Sequence, residues 1–454
     1  MQDQYSGLLI GKCSVRRLEM NMSASSKIKV GMLGIGNIGR GTYQALEMNH
    51  DKILETTGLD IEIVKILNRH PEKDRGIDIP KEKYTTDVRE IIEDPEIGMV
   101  VELIGGIEPA TEYMAEAMKH GKSVVTANKA AIAANGRYLA ELAQENHVLL
   151  RFEAAVAGGI PILTSLTTAL LSNRFTEVHG ILNGTTNYIL TQMSEYGKNY
   201  EEVLLDAQAK GFAEADPTAD VEGIDAANKL SILISLIFGI SVPPEKIDTQ
   251  GITRIASEDI AFAKESDYRI KLLATAKERK GKVTCSVGPV MLPVSHPLAS
   301  VSNEFNAVFV KGNAVDNLMF YGRGAGPLPT GSAVLGDVIG VARKQDKDSA
   351  YDIVPQLRYD ADLEYAWESP SKFYVRMTVA DKPGVLGRIT TLFGYYDISV
   401  EAIQQKTPYE ADGERVATLI FILFEVEKSR LTFALDEALK MEATKSIDNI
   451  IRVE

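Results

Sequence analysis

A glycine pattern near the start of the chain, G-I-G-N-I-G at 34–39, constrains the fold more than any other feature. It follows a strand-like apolar run at 27–33 and opens a helix-like run. In such a strand–turn–helix unit, glycines allow a tight turn and a close approach of backbone to a dinucleotide pyrophosphate, which the helix N-terminus binds. A plain glycine turn can have the same letters, so the flanking strand and helix decide in favour of a dinucleotide site. The residues predicted to contact the cofactor are Gly34, Ile35, Gly36, Asn37, Ile38 and Gly39.

The ends of later strand-like runs extend this prediction. The run at 61–67 is followed by Asn68 and Arg69 rather than by an acid. An acid there binds the ribose 2′-hydroxyl of NAD, whereas Arg69 can receive the 2′-phosphate of NADP. A solvent-facing arginine is the alternative, so the choice between NAD and NADP stays open.

Two further strand ends carry candidate residues, Gly105 and Lys129. Ligands of open α/β sheets bind at the carboxyl ends of the strands. An isolated lysine at such a position is usually solvated, so position alone does not assign Lys129 a function.

A second informative stretch, residues 207–229, reads AQAKGFAEADPTADVEGIDAANK. Pro217 and nearby small residues end one helix, and the run from Gly223 begins another. On this second helix Asp225 and Lys229 are four residues apart and share a face, and the following residues are apolar enough to be buried. An acid and an ammonium at the start of a buried helix suit an active site, where a lysine can donate a proton. A surface ion pair has the same spacing and is the alternative.

The spaced residues of this stretch resemble the defining motif of the homoserine dehydrogenase family. All positions of that motif are present, namely Ala207, Gly211, Phe212, Asp216, Pro217, Asp220, Val221, Gly223, Asp225 and Lys229. The resemblance covers nearly everything from Lys27 to Glu454. It implies NAD- or NADP-dependent interconversion of L-homoserine and L-aspartate 4-semialdehyde, in threonine, methionine and isoleucine biosynthesis. The protein then supplies position and proton transfer, and the cofactor carries the hydride.

The resemblance also implies roles for the acidic and basic side chains. Lys229 would give a proton to the nascent alkoxide in the reducing direction, and Lys129 would be a second catalytic or orienting cation. Glu214 and Asp225 would hold the amino and hydroxyl ends of the substrate. Asp220 would support them.

Small-residue loops receive their implied roles in the same way. The further cofactor contacts implied by the resemblance are Gly211, Gly324 and Gly326. A monovalent cation, Na⁺ or K⁺, would be held by main-chain carbonyls, and hard cations favour oxygen ligands. The carbonyls implied are those of Glu153, Val156, Gly158 and Ile160.

The last part of the chain has the pattern strand–helix–strand–strand–helix–strand, which is typical of a ferredoxin-like domain. Its turn at 381–386, D-K-P-G-V-L, resembles the ligand-side turn of the ACT amino-acid-sensing module. The implied effector is an amino acid, L-threonine as the end product of the pathway. Without the resemblance, any ferredoxin-like domain would fit the pattern.

The predicted fold class is α/β, with a Rossmann-type dinucleotide-binding domain, an α+β mixed-sheet substrate and dimerisation domain, and a ferredoxin-like ACT domain. A mixed sheet covered by helices on a single face leaves the other face for a second copy. The resemblance, more than this pattern, implies a homodimer or homotetramer. The predicted boundaries are a disordered extension at 1–26, dinucleotide binding at 27–155 with 323–345, substrate binding at 156–322, a linker at 346–371 and the ACT domain at 372–454.

Composition excludes several classes of function. The net charge of −14 argues against nucleic acid or an anionic membrane as partner. No apolar run reaches the roughly 18 residues of a membrane span, and the distant Cys13 and Cys285 indicate a reducing compartment, so we expect a cytoplasmic protein.

An aldehyde dehydrogenase acting on the same semialdehyde needs a nucleophilic cysteine, and neither cysteine stands at a suitable place. A catalytically inactive, nucleotide-dependent amino-acid sensor is the remaining alternative, and the retained lysines and acids argue against it.

Overall fold

The computed structural model describes residues 26–345, 362–411 and 413–454. The predicted extension at 1–26 lies almost wholly outside these residues, as does the first part of the predicted linker, 346–361.

The N-terminal unit alternates strands with helices. Its elements are β1 (Ser26–Leu33), α1 (Asn37–Thr57), β2 (Leu59–Leu67), β3 (Tyr84–Thr85), α2 (Arg89–Ile92), β4 (Met99–Glu102), α3 (Ala110–Lys119), β5 (Ser123–Thr126), α4 (Lys129–Glu145) and β6 (Leu150–Arg151). The strands form one parallel sheet in the order β3-β2-β1-β4-β5-β6. Central strands of such a sheet are apolar on both faces because helices cover both, and every residue of β4 and β5 is buried. This confirms the predicted Rossmann-type fold, in which strand order reverses between β1 and β4.

The middle unit begins with one short helix and a strand, continues mostly as helices, and then forms long antiparallel strands before a final helix. Its elements are α5 (Ile162–Thr164), β7 (Phe175–Ile181), α6 (Gly184–Tyr196), α7 (Tyr200–Ala209), α8 (Thr218–Val221), α9 (Ile224–Phe238), β8 (Asp248–Thr249), α10 (Ser257–Glu265), β9 (Tyr268–Arg279), β10 (Lys282–Pro293), β11 (Phe305–Gly312), β12 (Asp316–Arg323) and α11 (Pro327–Gln345).

Helix α11 returns to the N-terminal unit and packs against α1. The two helices approach closely because Gly41 and Gly331 face each other: a Cβ on Gly41 would lie 2.0 Å from the Pro327 carbonyl oxygen, and one on Gly331 would lie 2.6 Å from the Gly41 carbonyl carbon. Val334 and Val338 of α11 are buried in the same apolar cluster as Val30 and Met32 of β1.

The C-terminal elements have the predicted order with two added strands, one before the first predicted strand and one between the second and the third. They are β13 (Glu364–Ala366), β14 (Ser371–Ala380), α12 (Val385–Tyr395), β15 (Val400–Gln405), β16 (Tyr409–Ala411), β17 (Glu414–Val426), α13 (Lys428–Leu439) and β18 (Thr444–Val453). Helices α12 and α13 pack on the sheet through a core of its own that includes Val375, Ile389, Phe393 and Phe421.

The middle and C-terminal units share one mixed sheet, in the order β12-β11-β7-β9-β10-β18-β14-β17-β15. Strand β18 pairs with the edge of β10 only at Val290 and Met291. The rest of that long edge is covered by two short parallel strands, β8 at Ser286–Val287 and β13 at Lys282–Thr284. The C-terminal unit therefore joins the sheet of the middle unit at this edge, and residues 364–366 of the predicted linker form a strand on it. Such pairing satisfies backbone groups that an uncovered strand edge leaves unpaired.

The predicted bare face of the mixed sheet is partly covered. Leu273, Leu292 and Phe309 form a small apolar cluster there with Leu298 and Val301, which come from the segment after β10. The homodimer, which the resemblance implies more than the sheet pattern does, stays a prediction. In the described ranges, no helix is both long enough and apolar enough to cross a membrane.

Candidate active site

Helix α9 carries the central ion pair of the site. It begins after Gly223, whose φ of 82° is in the left-handed region, and ends at Gly239 with φ 68°. Asp225 lies in its first turn and Lys229 one turn later, and the rest of the helix is buried among apolar residues. The Lys229 ammonium donates to Asp225 Oδ2 at 2.7 Å and to the Leu182 carbonyl at 2.7 Å. An ammonium has three donors, so one remains for a substrate oxygen.

Lys129 approaches the same carboxylate from the other unit. It is the first residue of α4, directly after β5, and its ammonium pairs with Asp225 Oδ1. Asn128 caps α4: its side chain accepts from the Ala131 N–H at 3.1 Å and donates to the Gly106 carbonyl at 2.7 Å. The Lys129 side chain remains 43 % exposed, whereas that of Lys229 is 9 % exposed. Lys129 is therefore the cation that a ligand in solution can reach.

A second carboxylate, Asp220, joins the cluster through Asn183. The Asn183 side-chain amide donates to Asp220 at 2.7 Å and to Asp225 at 3.0 Å, while its oxygen caps α6 by accepting from the Thr186 N–H. Thr185 donates to the Phe212 carbonyl at 2.5 Å and lies 3.3 Å from Asp220. The start of α6 thus holds two acids side by side.

Burial and charge shift the pKa values of this cluster in different directions. Burial alone would raise the pKa of Asp225, but the ammonium groups of Lys229 and Lys129 hold it below its usual range. Burial lowers the pKa of Lys229, and the charge of Lys129 lowers it further against the opposing effect of Asp225. The pKa of Asp220 is raised by burial and by the negative charge of Asp225. Lys229 is consequently a stronger acid than an ordinary lysine.

Two motif residues lie at the rim of this cluster. Burial lowers the pKa of Lys129, but Asp225, then Asp220 and the exposed Glu214 raise it above its usual value. Gly211 is exposed after the end of α7 with φ 74°, a conformation that favours glycine at a helix end.

The glycine pattern at 34–39 has the geometry of a phosphate-binding turn. Gly34 has φ 102°, and a Cβ there would lie 2.8 Å from the Leu103 carbonyl oxygen. A Cβ on Gly39 would lie 2.4 Å from the Gly34 carbonyl oxygen, so helix and strand pack closely. Gly36, directly before α1, has open space where a Cβ would point. The turn therefore leaves room for a pyrophosphate at the helix N-terminus, and the residues fit a dinucleotide.

A cleft of about 670 Å³ extends from this turn along the carboxyl ends of β1, β2 and β4. Arg69 is exposed there, and Arg75 donates to the Asn68 side-chain oxygen at 3.0 Å. The cleft is lined by Gly34, Ile35, Gly36, Leu67, Asn68, Arg69, His70, Arg75, Thr86, Asp87, Val88, Leu103, Ile104, Pro109 and Tyr113.

The loop at 153–160 lies against the end of β12, at Arg323 and Gly324. The Gly159 N–H donates to the Arg323 carbonyl at 3.0 Å, and a Cβ on Gly158 would lie 2.4 Å from the Gly324 carbonyl oxygen. In the described part of the chain, the carbonyls of Val156 and Gly158 accept no backbone hydrogen bond, whereas those of Glu153 and Ile160 each accept one. No cluster of His, Cys, Asp and Glu side chains suited to a metal occurs among the described residues. Two of the four implied carbonyls therefore accept no backbone hydrogen bond among the described residues, and the bound cation stays a prediction.

The two other glycines predicted at the cofactor have steric reasons of their own. A Cβ on Gly324 would lie 1.9 Å from the buried Asn306 side chain. Gly326 has φ 124°, just before α11. Both positions therefore require glycine with or without a ligand.

Comparisons with known proteins agree with this geometry. The family model described as homoserine dehydrogenase matches residues 161–339, its NAD-binding domain matches 34–153, and the ACT domain matches 373–439. A homoserine dehydrogenase of Bacillus subtilis is 39 % identical over 427 residues, covering 94 % of this chain and 98 % of that protein. The chain belongs to the homoserine dehydrogenase family. The crystal structure of a homoserine dehydrogenase from Thiobacillus denitrificans is 37 % identical with a TM-score of 0.87, covering 94 % of this chain and 98 % of the other. A hyperthermophilic archaeal homoserine dehydrogenase in complex with NADPH is 28 % identical with a TM-score of 0.60, covering 73 % of this chain and all of the other.

As a homoserine dehydrogenase the chain has the NAD(P)-binding domain and the ACT domain that the sequence predicted. Lys229, Asp225, Asp220 and Lys129 come together in one cluster, and Glu214 lies at its rim. Asn183 joins this cluster as well, and its two bonds to the acids were not predicted. An asparagine before a predicted helix reads as a cap, and only the fold reveals its second amide contact.

The turn predicted to bind an effector borders a separate cavity of about 420 Å³. Gly384 has φ 86° directly before α12, and Asp381 is held by Arg415 at 2.9 Å. Gln405, Ala417 and Leu419 complete the lining.

Proposed function

We propose that this protein interconverts L-homoserine and L-aspartate 4-semialdehyde with NADP(H) as the preferred cofactor. The observation that carries the proposal is the contact of Lys129 and Lys229 with the single carboxylate of Asp225. This contact joins the start of α9 to the carboxyl end of β5, where ligands of a Rossmann-type sheet bind. Family membership supplies the reaction class.

The residues of the site have two roles, proton transfer and orientation of the substrate. The nicotinamide cofactor, when bound, supplies or accepts the hydride. In the reducing direction the remaining N–H of Lys229 protonates the substrate oxygen as it gains charge, and in the oxidising direction the neutral amine accepts that proton. Its lowered pKa makes the ammonium a better proton donor, and the neutral amine easier to form, than in an ordinary lysine. Asp225 keeps the two ammonium groups in place, because its Oδ2 accepts from Lys229 and its Oδ1 forms an ion pair with Lys129.

The ends of the substrate are recognised by charges at the rim. The exposed Glu214 binds the substrate ammonium, and the exposed Lys129 orients the polar groups of the substrate beside Asp225. Asp220, fixed by Asn183, supports the site. Gly105, Gly211, Gly324 and Gly326 border the cofactor path in this proposal.

The preference for NADP(H) rests on the basic end of the cleft. Arg69, His70 and Arg75 line it beyond β2, and no acid follows β2 directly. The archaeal relative described above holds NADPH. A 2′-phosphate placed between Arg69 and Arg75 would be stabilised by charge-assisted hydrogen bonds.

Regulation, cation binding and assembly complete the proposal. L-threonine binds at the turn before α12, where Gly384 and the helix N-terminus can receive its carboxylate. A Na⁺ or K⁺ ion is held by the carbonyls of the 153–160 loop, and the enzyme works in the cytoplasm as a homodimer or homotetramer.

The test is a turnover assay at the absorbance band of reduced nicotinamide, with homoserine and either NADP or NAD. We expect turnover with homoserine and a higher kcat/KM with NADP. A protein that binds NADPH but shows no homoserine-dependent signal with either cofactor would instead be the inactive sensor.

A further inference from the structure

A cavity of about 560 Å³ lies between the shared sheet and the C-terminal unit, away from the cluster around Lys229. Thr275 of β9 and Ser286 of β10 line it, and side chains of a strand alternate between the two faces of a sheet. Their neighbours Ala274 and Val287 are buried in the same core cluster as α9, so the cavity lies on the opposite face of the sheet. Its volume is in the usual range of small-molecule sites, about 300–1,000 Å³.

Most charges around this cavity are already paired. Lys428 donates to both oxygens of Asp248 at 2.6 Å, and Lys277 lies 2.9 Å from Glu454. Glu368 accepts from the backbone N–H of Ser429 at 2.9 Å at the start of α13. These pairs satisfy one another without a ligand.

Arg452 differs from these neighbours because no carboxylate satisfies it. Its Nη1 donates to the Ser286 hydroxyl at 2.5 Å, and its Nε is buried without an acceptor. Within residues 26–345, 362–411 and 413–454, no carboxylate oxygen lies within 4.0 Å of its guanidinium. A guanidinium presents a planar fork of donors that matches a carboxylate.

Aromatic surface stands at the mouth of the same cavity. Trp367 is 69 % exposed and Phe433 is 66 % exposed, and both line the cavity. A ligand with an apolar body and a negatively charged head would make two complementary contacts here, one with the exposed aromatic rings and one with the unpaired cation.

We propose that this cavity is a second ligand site, which binds a small organic carboxylate with an apolar body. The carboxylate accepts from Arg452 and Ser286, and the apolar body lies against Trp367 and Phe433. The site is distinct from the turn at 381–386, which lies at the opposite end of β14.

Trp367 is the sole tryptophan of the chain and therefore reports on the cavity directly. The full-length protein is titrated with 4-methylpentanoate into the millimolar range while tryptophan emission is recorded. We expect a saturable change, and binding weaker by at least about tenfold in Arg452→Gln, because a hydrogen bond to a charged group is lost. The neutral isostere 4-methylpentanamide should bind the unmodified protein as weakly as 4-methylpentanoate binds Arg452→Gln. Arg430→Gln is the matched control, since Arg430 lies on α13, pairs with Glu427 at 3.6 Å and does not line the cavity.

Two results would overturn the proposal: no saturable change in the unmodified protein, or equal affinity in Arg452→Gln. If Arg452→Gln does not fold, as judged by lost turnover, Arg452→Lys decides instead. It keeps the charge but not the fork, so affinity should fall by several fold, and unchanged affinity would contradict the assigned contact. Gly384→Asp, at the proposed effector turn, should leave this titration unchanged, which separates the two sites.

Discussion

Replacing Asp225 with asparagine tests the electrostatic core of the site while keeping its shape. The carboxylate is 5 % exposed and receives the Lys229 ammonium at 2.7 Å. At an effective dielectric constant of about 20, one such contact is worth roughly 6 kcal/mol of attraction, which desolvation partly offsets. Removing one partner of a buried pair typically costs about 3–5 kcal/mol. We expect Asp225→Asn to lower the free energy of unfolding by about 3 kcal/mol or more at pH 7.

The loss of stability in Asp225→Asn depends on pH, because the two ammonium groups stay without their carboxylate. Without Asp225, Lys129 and Lys229 repel each other, so the folded-state pKa of Lys229 falls further below its unfolded value. The unfolded chain then binds more protons, and the stability of the variant recovers as pH rises towards about 10.

Urea unfolding at pH 7 and pH 9.5 measures both effects. Asp216→Asn is the matched control, because Asp216 is an exposed carboxylate of the same stretch that accepts from Thr218. A loss below about 1 kcal/mol for Asp225→Asn, or an equal loss at both pH values, would refute the reasoning.

Three further predictions address the cofactor, the effector and the helix crossing. Arg69→Asp should raise the dissociation constant for NADPH about tenfold or more and change that for NADH little, as measured by nicotinamide fluorescence; equal effects would make Arg69 a surface charge. Gly384→Asp should weaken inhibition of turnover by L-threonine, because a carboxylate and a Cβ would stand where the ligand's carboxylate approaches, whereas Gly394→Asp at the far end of α12 should not. Unchanged inhibition in Gly384→Asp would place the effector elsewhere. Gly41→Ala should destabilise the fold by about 1–3 kcal/mol in urea unfolding, since its Cβ would lie 2.0 Å from the Pro327 carbonyl. Gly336→Ala, with open space around it on α11, should be neutral or stabilising.

Sequence reasoning succeeded where local chemistry determines structure. The turn at 34–39 shows a steric need for glycine at Gly34 and Gly39, as the spacing predicted, and open space at Gly36. Asp225 and Lys229 share a face because they are one helical turn apart.

Contacts between distant segments could not be predicted from local sequence patterns. Nothing near Asn183 in the sequence indicates that its amide bonds to Asp220 and Asp225, since these lie 37 and 42 residues away. The C-terminal unit joins β10 through pairs between distant strands, with β18 at Val290 and Met291 and with β13 at Lys282–Thr284, and strand edges are not visible in a hydrophobic pattern.

The central claim is that Lys229 transfers the proton, and Lys229→Ala tests it most directly. We expect kcat to fall by about 10²–10⁴-fold in both directions, while the dissociation constant for the cofactor stays within about twofold. Lys210→Ala, an exposed lysine that pairs with Asp206 outside the cluster, should retain kcat. A Lys229→Ala enzyme with nearly unchanged kcat would contradict the account.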